Sequence, residues 1–319
     1  MNITRTLTNV FNVRCLARAA VTATMIGFAA VTAATAQQSF KTPEEAVETL
    51  VTALRAGDSK ALNAILGPGA EQIISSGDPV EDENTRKLFL TNYDVKHSVQ
   101  ASGDKPATLL IGPDDYPFAI PLAKKGDSWM FDTVAGRVEV LARRIGRNEL
   151  AAIQVCLAYY DAQYEYAETM PKVDDMAVYA QRIVSRPGKK DGLYWPTAEG
   201  EPPSPLGDAV ADATRRGYRA GSGAPYHGYY YKILTRQGPK ASGGAHDYIV
   251  DGKMIGGFAL IAWPAEYGNS GITTFLINHD GVVYQKDLGE NTSKVASGVT
   301  AFNPRDGWKK VEVDMAEKK

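Results

Sequence analysis

Leu150, Ile153, Leu157, Tyr160 and Tyr164 step by three, four, three and four residues through the middle of the chain. That spacing is the period of one face of an α-helix. It predicts a helix over 144–168. Ala152, Cys156, Tyr159, Gln163 and Tyr166 lie beside the stripe and widen its apolar arc. A helix apolar over so much of its surface packs on a sheet or sits between two domains. With 319 residues there is chain enough for two cores.

Helical signals dominate before the first strands. In "TPEEAVETLVTALRAGD", Thr42 is an N-cap, Pro43 suits the first helical position and Glu45 closes a capping box. Val47, Leu50, Val51 and Leu54 form one face, and Gly57 stops the helix. A second helix is predicted over 59–66. A third opens at Asp78-Pro79, with Leu88, Phe89 and Tyr93 as its apolar members. The runs "ATLLIG", "PFAIPLA" and "SWMFDT" then read as strands, separated by Gly112-Pro113-Asp114 and Lys125-Gly126-Asp127. Helices followed by an antiparallel meander predict an α+β layer with helices on one face. This order, with the flavour of "IPLAKKGDSWMFDT", resembles nuclear-transport-factor-2-like and cystatin-like domains, which wrap a curved sheet around a long helix.

After the central helix, regular periodicity fades from 170 to 223. The Pro- and Gly-rich stretch "GLYWPTAEGEPPSPLGD" reads as a loop clamped by Leu193, Tyr194 and Trp195. A β-rich end follows: "GYYYKILT", "DYIV", "GGFALIAW", "GITTFLIN" and "GVVYQK", with hairpin turns at Asp251-Gly252 and Asp280-Gly281. The predicted division is a leader over 1–36, an α+β domain over 37–141, and a long helix with an antiparallel β-meander over 142–319.

The first segment is of another kind. Arg5, Arg14 and Arg18 are its only charges, the run "AAVTATMIGFAAVTA" is apolar, and Ala34-Thr35-Ala36 is a small-residue cleavage site. The run is too short and too rich in Ala and Thr for a membrane anchor. It predicts an exported protein, periplasmic or secreted, cleaved between Ala36 and Gln37, with no stable span thereafter. No Arg-Arg pair is present, which favours the general secretory route. Loss of the three arginines takes the formal charge from −2 to −5. There is no basic stripe of the kind nucleic-acid binders carry. Cys15 leaves with the leader, so Cys156 is alone and no internal disulfide can form. Its apolar helical setting predicts a buried, inert thiol.

Chemistry-bearing motifs are sparse. Ser270, in Gly268-Asn269-Ser270-Gly271, lacks the strand–turn–helix setting of a nucleophile elbow. His279 is separated from it by a predicted strand, 272–277, which argues against a Ser–His pair. The histidines His97, His227, His246 and His279 make no metal-ligand spacing, and no acid cluster has a calcium-loop pattern. Phosphate- and dinucleotide-binding glycine motifs are absent from the sequence. Thus no catalytic, cofactor or metal residues are assigned. In 256–289 turn chemistry leaves over Trp263, Glu266 and Tyr267 together in one loop, and Tyr226 and His227 join them in loops at strand ends. These are the candidate contact surface.

The stretches "SPLGDAVADATRRGY", "PYHGYYYKILT", "GGFALIAWPAEYGNSGITTFLINHDGVVYQKDLG" and "FNPRDGW" resemble the bacterial family catalogued as domain of unknown function 2950. That resemblance implies export and supplies no catalytic residues. The C-terminal half is also similar in layout to type IV pilin-like domains. A true pilin carries its hydrophobic helix at the mature N-terminus, and here the helix is internal, which argues against a fibre subunit. Two functions follow as expectations. One is a non-catalytic binding or assembly module with an envelope protein as partner. The other is a hydrolase acting on an envelope polymer, with Asp114, Asp115, Tyr116 and Asp132 near strand ends.

Overall fold

The computed structural model describes residues 37–101, 105–305 and 307–312; the predicted leader and Cys15 lie outside the described residues. Helices α1 (Pro43–Ala56), α2 (Ser59–Leu66), α3 (Ala70–Ile74) and α4 (Pro79–Val95) come first. Thr42 Oγ1 accepts the Glu45 N–H at 3.1 Å, as an N-cap does. The Glu45 carboxylate turns back to Lys41 N at 2.9 Å, one residue short of the capping-box partner. Gly57 ends α1 with φ +63° and returns its N–H to Leu54 O.

Strands β1 (His97–Gln100), β2 (Thr108–Ile111) and β3 (Tyr116–Pro117) form an antiparallel sheet in that order. Strands β4 (Leu122–Lys125) and β5 (Ser128–Phe131) form a hairpin. The run expected as one strand, "PFAIPLA", is therefore broken after Pro117. Pro121 lacks a ladder N–H, and its carbonyl instead takes Asp132 N at 2.7 Å. One core gathers here, from Phe40, Val47, Leu50, Ile65, Leu109 and Phe131. Each such side chain, once buried, contributes roughly 1.5–3 kcal/mol.

Helix α5 (Thr133–Thr169) starts a full three turns before the apolar stripe suggested. Its buried face also differs from the predicted one. Leu150 is 67% and Tyr164 37% exposed, while Ala152, Cys156, Tyr159 and Gln163 are buried. The helix approaches its sheet through small side chains, and the larger Ile153, Leu157 and Tyr160 pack at the flank. Gln163 can sit inside because its amide exchanges two 2.8 Å bonds with the Ala180 backbone. The segment expected to be irregular contains α6 (Gly207–Arg215), which buries no residue.

Then come β6 (Tyr229–Leu234), the short pairs β7 (Arg236–Gln237) with β8 (His246–Asp247) and β9 (Ile249–Val250) with β10 (Lys253–Met254), β11 (Ala259–Pro264), β12 (Thr273–Asn278), β13 (Tyr284–Asp287), α7 (Thr292–Gly298) and β14 (Lys309–Lys310). The main sheet runs β14-β13-β12-β11-β6, antiparallel throughout. Its register sets Ile261 opposite Leu276 and Ala262 opposite Tyr231. All six residues of β11 are buried, with α5 and α7 both packed on that strand. Asp251 and Gly252, both at positive φ, close the β9–β10 hairpin. The fold is α+β, with a second core built from Tyr159, Tyr229, Phe258, Ile261 and Phe275. No helix among the described residues is long and apolar enough to cross a membrane.

Candidate functional site

Polar residues concentrate where the two cores meet. Asp78 opens α4, and its Oδ1 accepts Val80 N at 3.2 Å and Glu81 N at 3.1 Å, the bonds of an N-cap. Its Oδ2 accepts the Tyr218 hydroxyl and Gly228 N, both at 3.0 Å. A carboxylate offers about four acceptor sites, and here four donors fill them. Asp78 is 1% exposed. Burial, and then the Asp78 charge, hold the Tyr218 hydroxyl protonated far above the usual phenol range. Tyr218 is thus a fixed donor.

His227 and Gly228, at φ +51° and +72°, turn the chain between Tyr226 and Tyr229, whose backbones bond both ways at 2.8 and 3.1 Å. His tolerates this left-handed conformation better than most side chains. The imidazole Nδ1 lies 3.9 Å from Glu81 Oε2. Burial lowers its pKa, against the pull of Glu81, which keeps the ring neutral near pH 7. Tyr226 packs between Tyr218 and His227, with ring centroids at 4.8 and 4.3 Å.

The other predicted contact residues converge on the same end of the sheet. Trp263 pairs with Tyr230 and Pro264 with Tyr229, and Ala265 N reaches Gly228 O at 2.9 Å. Trp263 is 8% exposed, packs on Tyr230 at 5.8 Å and leaves its Nε1 without a partner among the described residues. Glu266 is exposed and accepts Asn269 Nδ2 at 2.7 Å. Ser270 Oγ accepts Glu266 N at 2.9 Å, so this serine closes its own turn. Arg144 of α5 donates to Asn269 Oδ1 and, at 2.7 Å each, to Gln72 O and Ile73 O at the end of α3. Asn148 donates to Ser270 O at 2.9 Å, and Glu149 accepts Ile272 N and Thr273 N. Tyr267 leaves this group and donates to Asp287 Oδ2 at the end of β13.

The structure thus brings Tyr226, His227, Trp263 and Glu266 to one sheet end, with His227 beside Glu81 of α4. Sequence reasoning missed Asp78, Arg144, Asn148 and Tyr218 as members. A signal for two of them existed. Arg144, Asn148, Ala152 and Cys156 are spaced by four on the buried face of α5, so the polar pair extends an apolar stripe.

The residues raised for a hydrolase are dispersed. Asp115 pairs with Lys96 in an exposed turn, Arg143 lies over the Tyr116 ring, and Asp132 caps α5 through Ala135 N. Ser270 and His279 flank opposite ends of β12. Cys156 is buried, and burial pushes its thiol up to about 12. Among the described residues no group of three His, Cys, Asp or Glu side chains is disposed to hold a metal ion. Two clefts lie away from the seam. One of about 350 Å³ is bordered by Gln285, Lys286 and Lys309, and one of about 590 Å³ lies along 184–196.

The model of the family described as protein of unknown function (DUF2950) matches residues 37–311, and the chain belongs to that family. No curated protein and no solved structure matches it.

Proposed function

We propose that this member of the DUF2950 family is an exported envelope protein that binds or assembles with a partner and carries out no chemistry of its own. Export rests on the charged start, apolar run and Ala34-Thr35-Ala36 site of its sequence. On this reading the modules 37–141 and 142–319 share α5 and are fastened by the polar seam.

One observation carries the non-catalytic reading. The carboxylate nearest the Tyr218–His227 turn is that of Asp78, and four donors already occupy it. A general base needs a free lone pair facing its substrate. Asp78 spends its lone pairs on the helix cap and the turn.

The alternative, a hydrolase of an envelope polymer, rests on Glu81 and His227, whose side chains are 19% and 17% exposed and 3.9 Å apart. In-cell crosslinking in the native host, followed by envelope fractionation and mass spectrometry, separates the two. A stoichiometric retained protein or polymer supports the binding reading. A purified chain that cleaves cell-wall polymers, with turnover lost in Glu81→Gln, overturns it.

A further inference from the structure

The cleft along 184–196 has a lining unlike the seam. Arg186, Pro187, Lys189, Lys190, Trp195 and Pro196 border a volume of about 590 Å³. That is within the roughly 300–1,000 Å³ typical of small-ligand sites. The loop is built before any ligand arrives. Ser185 N bonds Tyr194 O at 2.8 Å, Tyr194 N bonds Ile183 O at 2.9 Å, and Leu193 N bonds Arg182 O at 3.0 Å. Leu193 and Trp195 are buried, and Trp195 packs on Tyr166 of α5 at 6.4 Å. The Tyr166 hydroxyl donates to Lys190 O at 2.8 Å, which ties the basic tip to the helix.

Charge in the loop is one-sided. Asp191 is its acid, and Arg186 and Arg182 take it up at 2.5 and 3.8 Å. Among the described residues the Lys189 and Lys190 ammoniums pair with no carboxylate, and Lys190 Nζ rests 5.4 Å from the centre of the Trp195 ring. Apolar rings beside unmatched ammoniums suit a ligand with a C–H face and an anionic substituent. A peptide strand is disfavoured, because the N–H groups of Ser185, Leu193 and Tyr194 and the carbonyls of Leu193 and Tyr194 already bond within the chain.

We infer that this cleft binds an anionic saccharide, its sugar faces on the exposed Pro187 and Pro196, which the buried Trp195 backs from below, and its acid groups on Lys189 and Lys190. The inference deepens the binding reading above and rests on it. Lysine serves as a point charge for carboxylate or phosphate, and the prolines supply rigid apolar contact at low entropic cost.

The test is calorimetric titration of the mature chain with short oligogalacturonates, with neutral maltooligosaccharides and a poly-glutamate peptide as controls. Binding to the acidic sugar alone is expected. It should weaken about tenfold in the double variant Lys189→Ala/Lys190→Ala, as loss of two exposed charge pairs implies. Both lysines are exposed, so the unfolding midpoint of that variant should match wild type. A glucosamine phosphate oligomer distinguishes carboxylate from phosphate as the preferred anion, and either preference fits. Equal binding to poly-glutamate would overturn the inference, because it reports bare charge. So would absence of acidic-sugar binding, or an unchanged affinity in the double variant. A crosslinked partner retained by the double variant would leave the binding reading standing and remove only this cleft from it.

Discussion

Tyr218 donates its hydroxyl to the Asp78 carboxylate at 3.0 Å across 140 residues of sequence. The same carboxylate caps α4. One side chain therefore ends the exposed N–H groups of an N-terminal helix and anchors a C-terminal turn. Arg144 repeats the arrangement at α3: its Nη1 donates both to Gln72 O and to Asn269 Oδ1, and its Nη2 donates to Ile73 O. Polar residues far apart in the sequence are here the joint between two cores.

Gly228 tests how closely that joint is packed. A Cβ there would lie 2.5 Å from Asn148 Nδ2 and 3.0 Å from Ser270 Cβ, at φ +72°. Gly228→Ala should cost about 2–4 kcal/mol in urea unfolding, from left-handed strain plus overpacking. Gly188, at φ +70° with no atom of the described residues within 4 Å of a Cβ, is the control. Gly188→Ala should cost only about 1–2 kcal/mol. Equal losses would mean that the turn does not sit against α5.

Arg144 is 7% exposed, and burial lowers its pKa from the free value. Arg144→Ala would strand the carbonyls of Gln72 and Ile73 and the amide oxygen of Asn269. A loss of about 3 kcal/mol is expected, since buried acceptors left unmet cost about 1–3 kcal/mol each and some will find water. Arg144→Lys should recover part of it, lacking the fork that reaches two carbonyls at once. Thermal unfolding of the three proteins gives the order.

Much of this fold was legible where local chemistry decides it. Thr42 and Gly57 bound α1, Asp78-Pro79 starts α4, and Asp251-Gly252 turns a hairpin. The face of α5 was misjudged because periodicity weighs apolar size. Close packing selected Ala152 and Cys156, and hydrogen bonding made Gln163 and Arg144 admissible. The seam was beyond reach for a further reason. Asp78, Tyr218 and Gly228 meet only through tertiary placement, and nothing within a local window links an acid at 78 to a turn at 228. Tyr226 and His227 were visible as oddities of a turn, without the partners that give them meaning.

His227 predicts an acid response. The ring has an ordinary value near 6.5 when unfolded, and burial holds it lower in the folded chain. Between those values the unfolded chain binds more protons. The His227 contribution is thus complete above about pH 6.5 and is lost as pH falls toward the folded value. Glu81, Asp78, Asp212 and Arg216 face the ring and are common to wild type and variant. His227→Asn tolerates the positive φ. The variant should lose less stability than wild type between pH 7.5 and pH 5. Parallel losses would mean that the imidazole titrates as it does in free solvent.

Cys156 offers a reporter of the second core. Its thiol is buried and its pKa pushed up to about 12, so little thiolate exists at neutral pH. A thiol reagent should label it only as fast as the protein opens, with rates rising steeply through the urea transition. Rapid labelling of the native chain would show that α5 does not bury this face.

The most direct measurement is a double-mutant cycle between Asp78 and Tyr218, using Asp78→Asn, Tyr218→Phe and the pair in chemical unfolding. A hydrogen bond to a buried carboxylate predicts a coupling of about 1.5–3 kcal/mol, with both single variants destabilised. Additive effects within about 0.5 kcal/mol, in proteins that stay as stable as wild type, would contradict the joint.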